Sequence, residues 1–151
     1  MTNAGGRPAL TRLHARLVVS DGPRAVDFYC TALGAEEIER YTGPEGRIVH
    51  AMLRLGDAVL AVKDAADGDP APPDLGGTPV IMALDVSDAD AVAVAMLRAG
   101  ASVVHPVADQ HYGQRGGRLA DPFGHQWMIS QPLEDLTHDQ IQRRTDELYP
   151  S

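Results

Sequence analysis

The stretch HPVADQHYGQRGGRLADPFGHQWMIS, residues 105–130, contains the pattern that decides the fold. It combines a polar loop, a glycine-rich strand, an Asp-Pro-Phe-Gly-His turn and a closing apolar strand. Within it, RLAD at residues 118–121 matches RLGD at residues 54–57. The match indicates that this stretch is an elaborated copy of an earlier part of the chain.

Two further matches support an internal duplication. Val-Ser-Asp at residues 19–21 recurs at residues 86–88, and Leu-Gly-Ala at residues 33–35 recurs as Ala-Gly-Ala at residues 99–101. The three offsets are 67, 66 and 64 residues (86 − 19, 99 − 33 and 118 − 54), in the same order along the chain. We therefore predict two copies of one βαβββ module in an α+β fold.

Hydrophobic periodicity and turn residues predict the elements of each module. The first half gives a strand, a helix and three strands at residues 13–20, 24–33, 35–41, 47–55 and 58–63. The second half repeats this series at residues 80–86, 89–99, 102–107, 114–120 and 126–130. A capping-box pattern at Thr137 predicts a short C-terminal helix toward Leu148. The division is a flexible tail (1–12), a first module (13–63), a Pro/Gly/Asp-rich linker (64–79), a second module (80–131) and a helical tail (132–151), together one domain.

Composition excludes several classes of function. A net charge of −8 argues against nucleic acid or an anionic membrane as partner, because phosphate contacts need a basic face. Cys30 is the single cysteine, so no internal disulfide forms, and no Cys-His spacing resembles a zinc site. No apolar run approaches the ~20 residues that span a bilayer, and the N-terminus has no apolar leader. We expect a cytoplasmic protein.

Motifs in both halves resemble the vicinal oxygen chelate superfamily, which includes glyoxalases, extradiol dioxygenases and fosfomycin- and bleomycin-resistance proteins. The first-half motifs are His14 and residues 19–21, 28–29 and 33–35, and the second-half signature is the turn at residues 121–125. The resemblance covers nearly the whole chain. It implies that the two modules form a curved mixed sheet around a ligand cleft, commonly in a homodimer.

A narrower resemblance points to a PhnB-like subgroup of glyoxalase and bleomycin-resistance proteins. It rests on the Asp-Gln-His-Tyr-Gly loop at residues 109–113, on Arg115, on Gly-Arg at residues 117–118 and on the turn at residues 121–125. The fold hosts unrelated chemistries, so the resemblance predicts the architecture much more strongly than the substrate.

The resemblance also locates the positions where metal enzymes of the superfamily hold their ion. One ligand comes from each of four strand positions, typically His, Glu, His and Glu. In this chain the four positions correspond to His14, Ala61, Ile81 and Met128. Three of these side chains lack the nitrogen or oxygen donors that Zn²⁺, Mn²⁺ or Ni²⁺ would need. We expect no metal and no other cofactor.

Strand alternation from those positions predicts the side chains that line the cleft. They are His14, Arg16, His50, Met52, Arg54, Ala61, Ile81, Asp85, Arg118, Gln126 and Met128. Several are cationic, which suits an anionic ligand with an apolar body. The alternative is that the arginines lie at strand ends in solvent or pair with nearby carboxylates.

The loop before the glycine-rich strand adds Tyr112 and Arg115 as ligand-binding candidates. The alternative is that both side chains only hold the loop in place. His125 and Trp127 are predicted to face away from the cleft, so we interpret them as structural.

Three hypotheses for function follow. The first is a metal-independent small-molecule-binding protein of the bleomycin-resistance type, with a role in antibiotic resistance. The second is a lyase or isomerase in which His14 or His50 moves a proton and an arginine stabilises an oxyanion. The third is an interaction module with a vestigial cleft. We expect a homodimer, and a cleft within one chain or across two chains fits the sequence equally well.

Overall fold

Each half of the chain folds into one four-stranded sheet and one long helix in the computed structural model, which describes residues 5–151. The first half contains β1 (Arg16–Val19), α1 (Gly22–Leu33), β2 (Glu36–Thr42), β3 (Ile48–Leu55) and β4 (Ala58–Asp64). After a short helix, α2 (Pro72–Leu75), the second half contains β5 (Ile81–Asp85), α3 (Ala89–Arg98), β6 (Ser102–Asp109), β7 (Gln114–Ala120) and β8 (Gln126–Pro132). The last element is α4 (His138–Leu148).

The two sheets have the same topology, which confirms the predicted duplication. Their strand orders are β1-β4-β3-β2 and β5-β8-β7-β6, and in each sheet only the first pair is parallel. Arg16 pairs with Ala61 in the first sheet, and Ala83 pairs with Met128 in the second. Both positions are related by 67 residues (83 − 16 and 128 − 61), so the parallel pairs of the two modules have the same register.

The same offset relates the buried starts of the two helices. Asp64 in β4 accepts the backbone N–H of Gly22 at 2.6 Å, and Gln131 in β8 accepts that of Ala89 at 2.8 Å. These bonds satisfy N–H groups that have no partner within the helix. In each module, a side chain of the sheet therefore binds the start of the helix. The two side chains, Asp64 and Gln131, are 67 residues apart (131 − 64).

One detail of the repeat differs from the sequence match. That match placed Arg118 in the second module where Arg54 lies in the first. The register instead pairs Arg118 with Met128 and Met52 with Ala61, so Met52 is the structural counterpart of Arg118. The reason is the turn: β3 and β4 are joined by a two-residue hairpin, whereas five residues separate β7 from β8.

The two modules join through their helices and the Asp-Pro-Phe-Gly-His turn. Tyr29 of α1 packs at 5.4 Å from the ring of Trp127 and 6.4 Å from that of Phe123, between ring centroids. Its hydroxyl donates to the buried carboxylate of Asp121 at 2.5 Å. His125 Nε2 lies 2.8 Å from the carbonyl oxygen of Val18 on the outer edge of β1. As expected, His125 and Trp127 are structural.

The predicted element boundaries differ most at the start of the first strand. β1 begins at Arg16, not at residue 13, because only Arg16–Val19 have ladder partners on β4, and Leu13 and His14 are exposed. The predicted linker at residues 64–79 also contributes to the fold. Asp64 lies in β4, and Ala71 and Pro72 are buried.

The predicted C-terminal helix is present in the structure. The predicted capping box at Thr137 is present, since its hydroxyl accepts the N–H of Gln140 at 3.2 Å at the start of α4. Of the predicted tail, residues 1–4 lie outside the described residues. Among the described helices, none has the length and apolar character needed to cross a membrane.

Candidate functional site

Each sheet buries one face under the helices and leaves the other face open. In the first sheet, Leu17, Leu53 and Leu60 belong to the core. Alternation and register place a different set on the opposite side, which we call the first open face. It contains five predicted site residues, Arg16, His50, Met52, Arg54 and Ala61. It also contains Lys63, which alternation from Ala61 places on this face, and two residues that the prediction did not include, Glu39 and Tyr41.

A row of polar groups crosses the first open face. Arg16 Nη1 lies 2.7 Å from His50 Nδ1. Because a guanidinium only donates, Nδ1 accepts, and the proton of a neutral ring is on Nε2. Nε2 lies 3.5 Å from a carboxylate oxygen of Glu39. The imidazole also stacks on the ring of Tyr41, with 6.2 Å between the ring centroids. These contacts hold His50 in one tautomer.

Glu39 and Tyr41 also contact each other. The Tyr41 hydroxyl donates to Glu39 at 3.1 Å, and this hydrogen bond, with the nearby negative charge, raises the pKa of the phenol. Both residues lie on β2, opposite Met52 and His50. Sequence reasoning missed them because it did not extend the alternation to β2, where register shifts interrupt the pattern.

At the far end of the first open face, the positive charge of Lys63 is paired with a carboxylate of the linker. Lys63 is buried, and its Nζ donates to Asp69 at 2.6 Å and to the carbonyl of Ala66 at 3.3 Å. The hydrogen bond from Lys63 lowers the pKa of the Asp69 carboxyl below its ordinary value. Lys63 is therefore matched by a carboxylate within the chain.

The second sheet has an equivalent open face. Met82, Leu84, Trp127 and Ile129 pack on the helix side. The side chains between them form the second open face, which contains the predicted residues Ile81, Asp85, Arg118, Gln126 and Met128. Asp85 also borders a groove of about 350 Å³ between β5 and the β3–β4 hairpin of the first module.

A small cavity lies on the second open face. Its volume is about 140 Å³, and its walls are His105, Gln110, Tyr112, Gly116, Gly117, Arg118 and Met128. Three of these were predicted site residues, Tyr112, Arg118 and Met128, and His105 and Gln110 were not. His105 is the ladder partner of Arg118, but bulges on both sides of it in β6 break the simple alternation.

Two predicted site residues lie elsewhere. Arg115 points to the helix side, where it binds Asp90 at 2.8 and 3.0 Å and Asp109 at 3.0 Å. These carboxylates raise the pKa of the guanidinium, and the contacts match the alternative that Arg115 holds its loop. His14 precedes β1 and is exposed. We remove Arg115 from the ligand-binding set.

The two open faces are separate in this chain. Among the described residues, no hydrogen bond or ion pair joins a side chain of one face to a side chain of the other. The strand β2 at the edge of the first sheet is exposed along its whole length. Most of the predicted site residues thus divide between two faces, one on each sheet, which we call the two half-sites.

Comparison with known proteins agrees with this architecture. Residues 11–129 match the model of the Glyoxalase/Bleomycin resistance protein/Dioxygenase superfamily. The chain belongs to this superfamily. An uncharacterised protein of Mycobacterium tuberculosis, Rv0887c, is 42% identical over 135 residues, which cover 86% of this chain and 79% of that protein.

Solved structures of the superfamily have the same fold. TioX from Micromonospora sp. ML1 is 26% identical with a TM-score of 0.65, and the match covers 82% of this chain and 99% of TioX. TnmS3, an antibiotic binding protein from Streptomyces sp. CB03234, is 22% identical with a TM-score of 0.63, covering 83% of this chain and 99% of TnmS3. The likeness to TnmS3 shows the fold alone.

The residues of this superfamily member do not fit a metal ion at the usual positions. The strand register places Ala61 and Met128 at equivalent points of the two sheets, with Ile81 at the start of β5. Alanine and isoleucine offer no donor atom, and a methionine thioether does not suit Zn²⁺ or Mn²⁺ among oxygen and nitrogen ligands. In residues 5–151, no group of three or more His, Cys, Asp or Glu could hold a metal ion.

Proposed function

We propose that this protein binds a small organic molecule in its cleft without a metal ion. The observation that supports the proposal is the chemistry of the open faces. Apolar side chains, Ala61, Ile81 and Met128, occupy the positions where metal enzymes hold their ligands. Cationic and polar groups, among them Arg16 and Arg118, surround them. An apolar floor with a few placed polar groups is typical of ligand pockets.

We further propose that two copies of the chain complete the cleft. No hydrogen bond or ion pair among the described residues joins the two half-sites within one chain, and a second chain would give each an opposite wall. In addition, Leu10 and Leu13 before β1 are 98% and 97% exposed, so a partner chain that covers them would bury apolar surface. A homodimer that covers these leucines and opposes the open faces accounts for both features.

We place the protein in the PhnB-like part of the superfamily on the motif residues 109–113 and 121–125. A drug-like ligand and a role in antibiotic resistance are included in the proposal. The antibiotic-binding neighbour TnmS3 is consistent with this role only in that the same fold serves it.

A second candidate function is an acid–base lyase or isomerase. The contact between Arg16 and His50 favours it, because a tautomer fixed by a neighbouring donor is a feature of histidines that transfer protons. In this reading His50 moves the proton, and Arg54 or Arg118 stabilises an oxyanion. His14 is the weaker candidate, since it lies outside β1.

Ligand-observed NMR on EDTA-dialysed protein tests the proposal. The panel contains neutral, cationic and anionic aromatic compounds, including antibiotics. We expect binding by a subset in the presence of EDTA, with Met128→Glu reducing it because a carboxylate would replace a half-buried apolar side chain in the floor. Binding that occurs only after Zn²⁺, Ni²⁺ or Mn²⁺ is added overturns the proposal, as does the absence of any bound compound. Turnover of a bound compound that is lost in His50→Ala would favour the second candidate.

A further inference from the structure

The cavity beside Tyr112 has an unusual charge for this protein. The chain has a net charge of −8, yet none of the residues that line the cavity is acidic. Its lining includes one permanent cation, Arg118, and His105 opposite it on β6. The nearest carboxylate along the loop, Asp109, is bound by Arg115 on the other side of the sheet. The charge of Arg118 is thus not compensated within the cavity.

Arg118 also has an unsatisfied hydrogen-bond donor. Its Nε is the single buried side-chain nitrogen or oxygen that lacks a partner in the described part of the chain. Leaving a buried donor unpaired destabilises the fold, and more so when the group is charged. Proteins rarely keep such a group without a use, because buried polar atoms are nearly always bonded. The Nη groups of Arg118 also make no hydrogen bond within the described residues and, unlike Nε, are not buried, so a ligand oxygen could pair with them.

The walls of the cavity are held rigidly. A Cβ on Gly117 would lie 2.7 Å from the carbonyl oxygen of His105, so β6 and β7 approach too closely for any other residue. The Gln110 side chain donates to the carbonyl of Gly116 at 3.0 Å. Rigid walls lower the entropic cost of ligand binding.

The C-terminal helix secures the loop above the cavity. Arg144 of α4 donates to the carbonyl of His111 at 3.2 Å and to both oxygens of Glu134 at 3.0 and 3.1 Å. The hydrogen bonds from Arg144 lower the pKa of the Glu134 carboxyl. The loop that contributes Tyr112 is therefore fixed in place by α4.

From these features we infer that Arg118 and its cavity bind the oxyanion head group of the ligand. The inference rests on the proposed function and adds the chemical class, a carboxylate or a phosphonate. A planar guanidinium binds such groups through paired charge-assisted hydrogen bonds. A cavity of about 140 Å³ holds a head group and not a whole ligand, whose body would lie over Met128 on the second open face.

NMR titration of the EDTA-dialysed full chain tests the inference with three probes that share a phenyl ring and differ in the head group. Benzoate and phenylphosphonate carry the two kinds of head group, and benzamide is the neutral match. We follow the Nε–H resonance of Arg118, assigned with Arg118→Lys, and compare the wild type with Arg118→Gln. Arg98→Gln, at the end of α3, is the control for a general loss of positive charge.

We expect benzoate or phenylphosphonate to shift the Arg118 resonance and to bind at least about tenfold more tightly than benzamide. The anion that binds more tightly identifies the preferred head group. Arg118→Gln should remove the preference for the anion, and Arg98→Gln should keep it. Equal binding of all three probes, or an anion preference that survives in Arg118→Gln, overturns the inference and leaves the proposed function intact. If no probe and no compound of the ligand panel binds, the proposed function itself fails.

Discussion

The hydroxyl of Tyr29 donates to the carboxylate of Asp121 across the joint between the two modules, with 2.5 Å between the oxygens. Asp121 also accepts from the indole N–H of Trp127 at 2.9 Å and from the backbone N–H groups of Phe123 and His125 at 2.9 and 3.0 Å. One buried carboxylate thus organises the second-half turn and joins it to α1.

Removing the Tyr29 hydroxyl should weaken the joint. We expect Tyr29→Phe to lower the free energy of unfolding by ~1–3 kcal/mol, because Asp121 Oδ2 keeps one donor instead of two in a buried site. Urea denaturation measures the change. Tyr41→Phe is the matched control, since Tyr41 is exposed, and it should change stability by no more than ~0.5 kcal/mol. Equal effects of the two substitutions would contradict this role for Asp121.

The same tyrosine makes stability fall at alkaline pH. Burial, and then the charge and hydrogen bond of Asp121, raise the pKa of Tyr29 well above its ordinary value. Below the unfolded pKa of ~10, the neutral Tyr29 side chain therefore makes its full contribution to the free energy of unfolding. This contribution declines at higher pH, because the tyrosine ionises first in the unfolded chain. Denaturation across this range should show a smaller alkaline loss in Tyr29→Phe. A Cys30→Ala background removes the thiol, whose pKa burial also raises. An unchanged alkaline loss would contradict the assignment.

The exposed leucines before β1 test the dimer. Leu10→Ser and Leu13→Ser together should leave the unfolding of the isolated monomer unchanged, because both side chains are nearly free of contacts within the chain. They should raise the dimer dissociation constant, by about tenfold or more. Analytical ultracentrifugation measures it. Leu75→Ser, an exposed leucine of α2, should have no such effect. A dimer as strong as wild type would show that the leucines do not lie at the interface.

The tautomer of His50 is directly observable. In long-range ¹H–¹⁵N spectra above neutral pH, His50 should show a protonated Nε2 and a bare Nδ1, because Nδ1 accepts from Arg16. Arg16→Gln should reduce this bias, and Arg98→Gln should not. A protonated Nδ1 in the wild type would remove the geometric basis of the acid–base candidate.

Gly117 should tolerate no side chain. In Gly117→Ala the new Cβ would meet the backbone of His105 and Val107, which cannot yield without separating β6 from β7. We expect a loss of ~1–3 kcal/mol in the free energy of unfolding. Gly43→Ala, where the nearest atom is a Val49 methyl at 3.4 Å, should be close to neutral. A neutral Gly117→Ala would indicate that the cavity walls are not rigid.

Much of the architecture could be predicted from the sequence because it depends on local patterns. The repeated Asp of the two Val-Ser-Asp segments caps each helix, and alternation from Ala61 and Met128 assigned side chains to the correct faces. Alternation is a property of every strand, so it needs no knowledge of neighbours. The same alternation placed Trp127 on the helix side, and the turn motif indicated a structural role for His125; both side chains are buried.

The errors occur where strand boundaries and distant partners decide. Arg115 was assigned to the loop, but it lies in β7 three residues from Arg118, so alternation places it on the helix side, where Asp90 and Asp109 bind it. His105 was missed because bulges in β6 interrupt alternation, and His14 was overestimated because β1 loses its ladder partner before it. The separation of the two half-sites also depends on how the modules pack, which no local pattern encodes.

We propose that the ligand cleft of this superfamily member works without a metal ion. Calorimetric titration of the EDTA-dialysed protein with Zn²⁺, Ni²⁺ and Mn²⁺ measures whether an ion binds. We predict no stoichiometric binding, since Ala61, Ile81 and Met128 provide no suitable ligand set. One tight site per chain for any of the three ions would contradict the account.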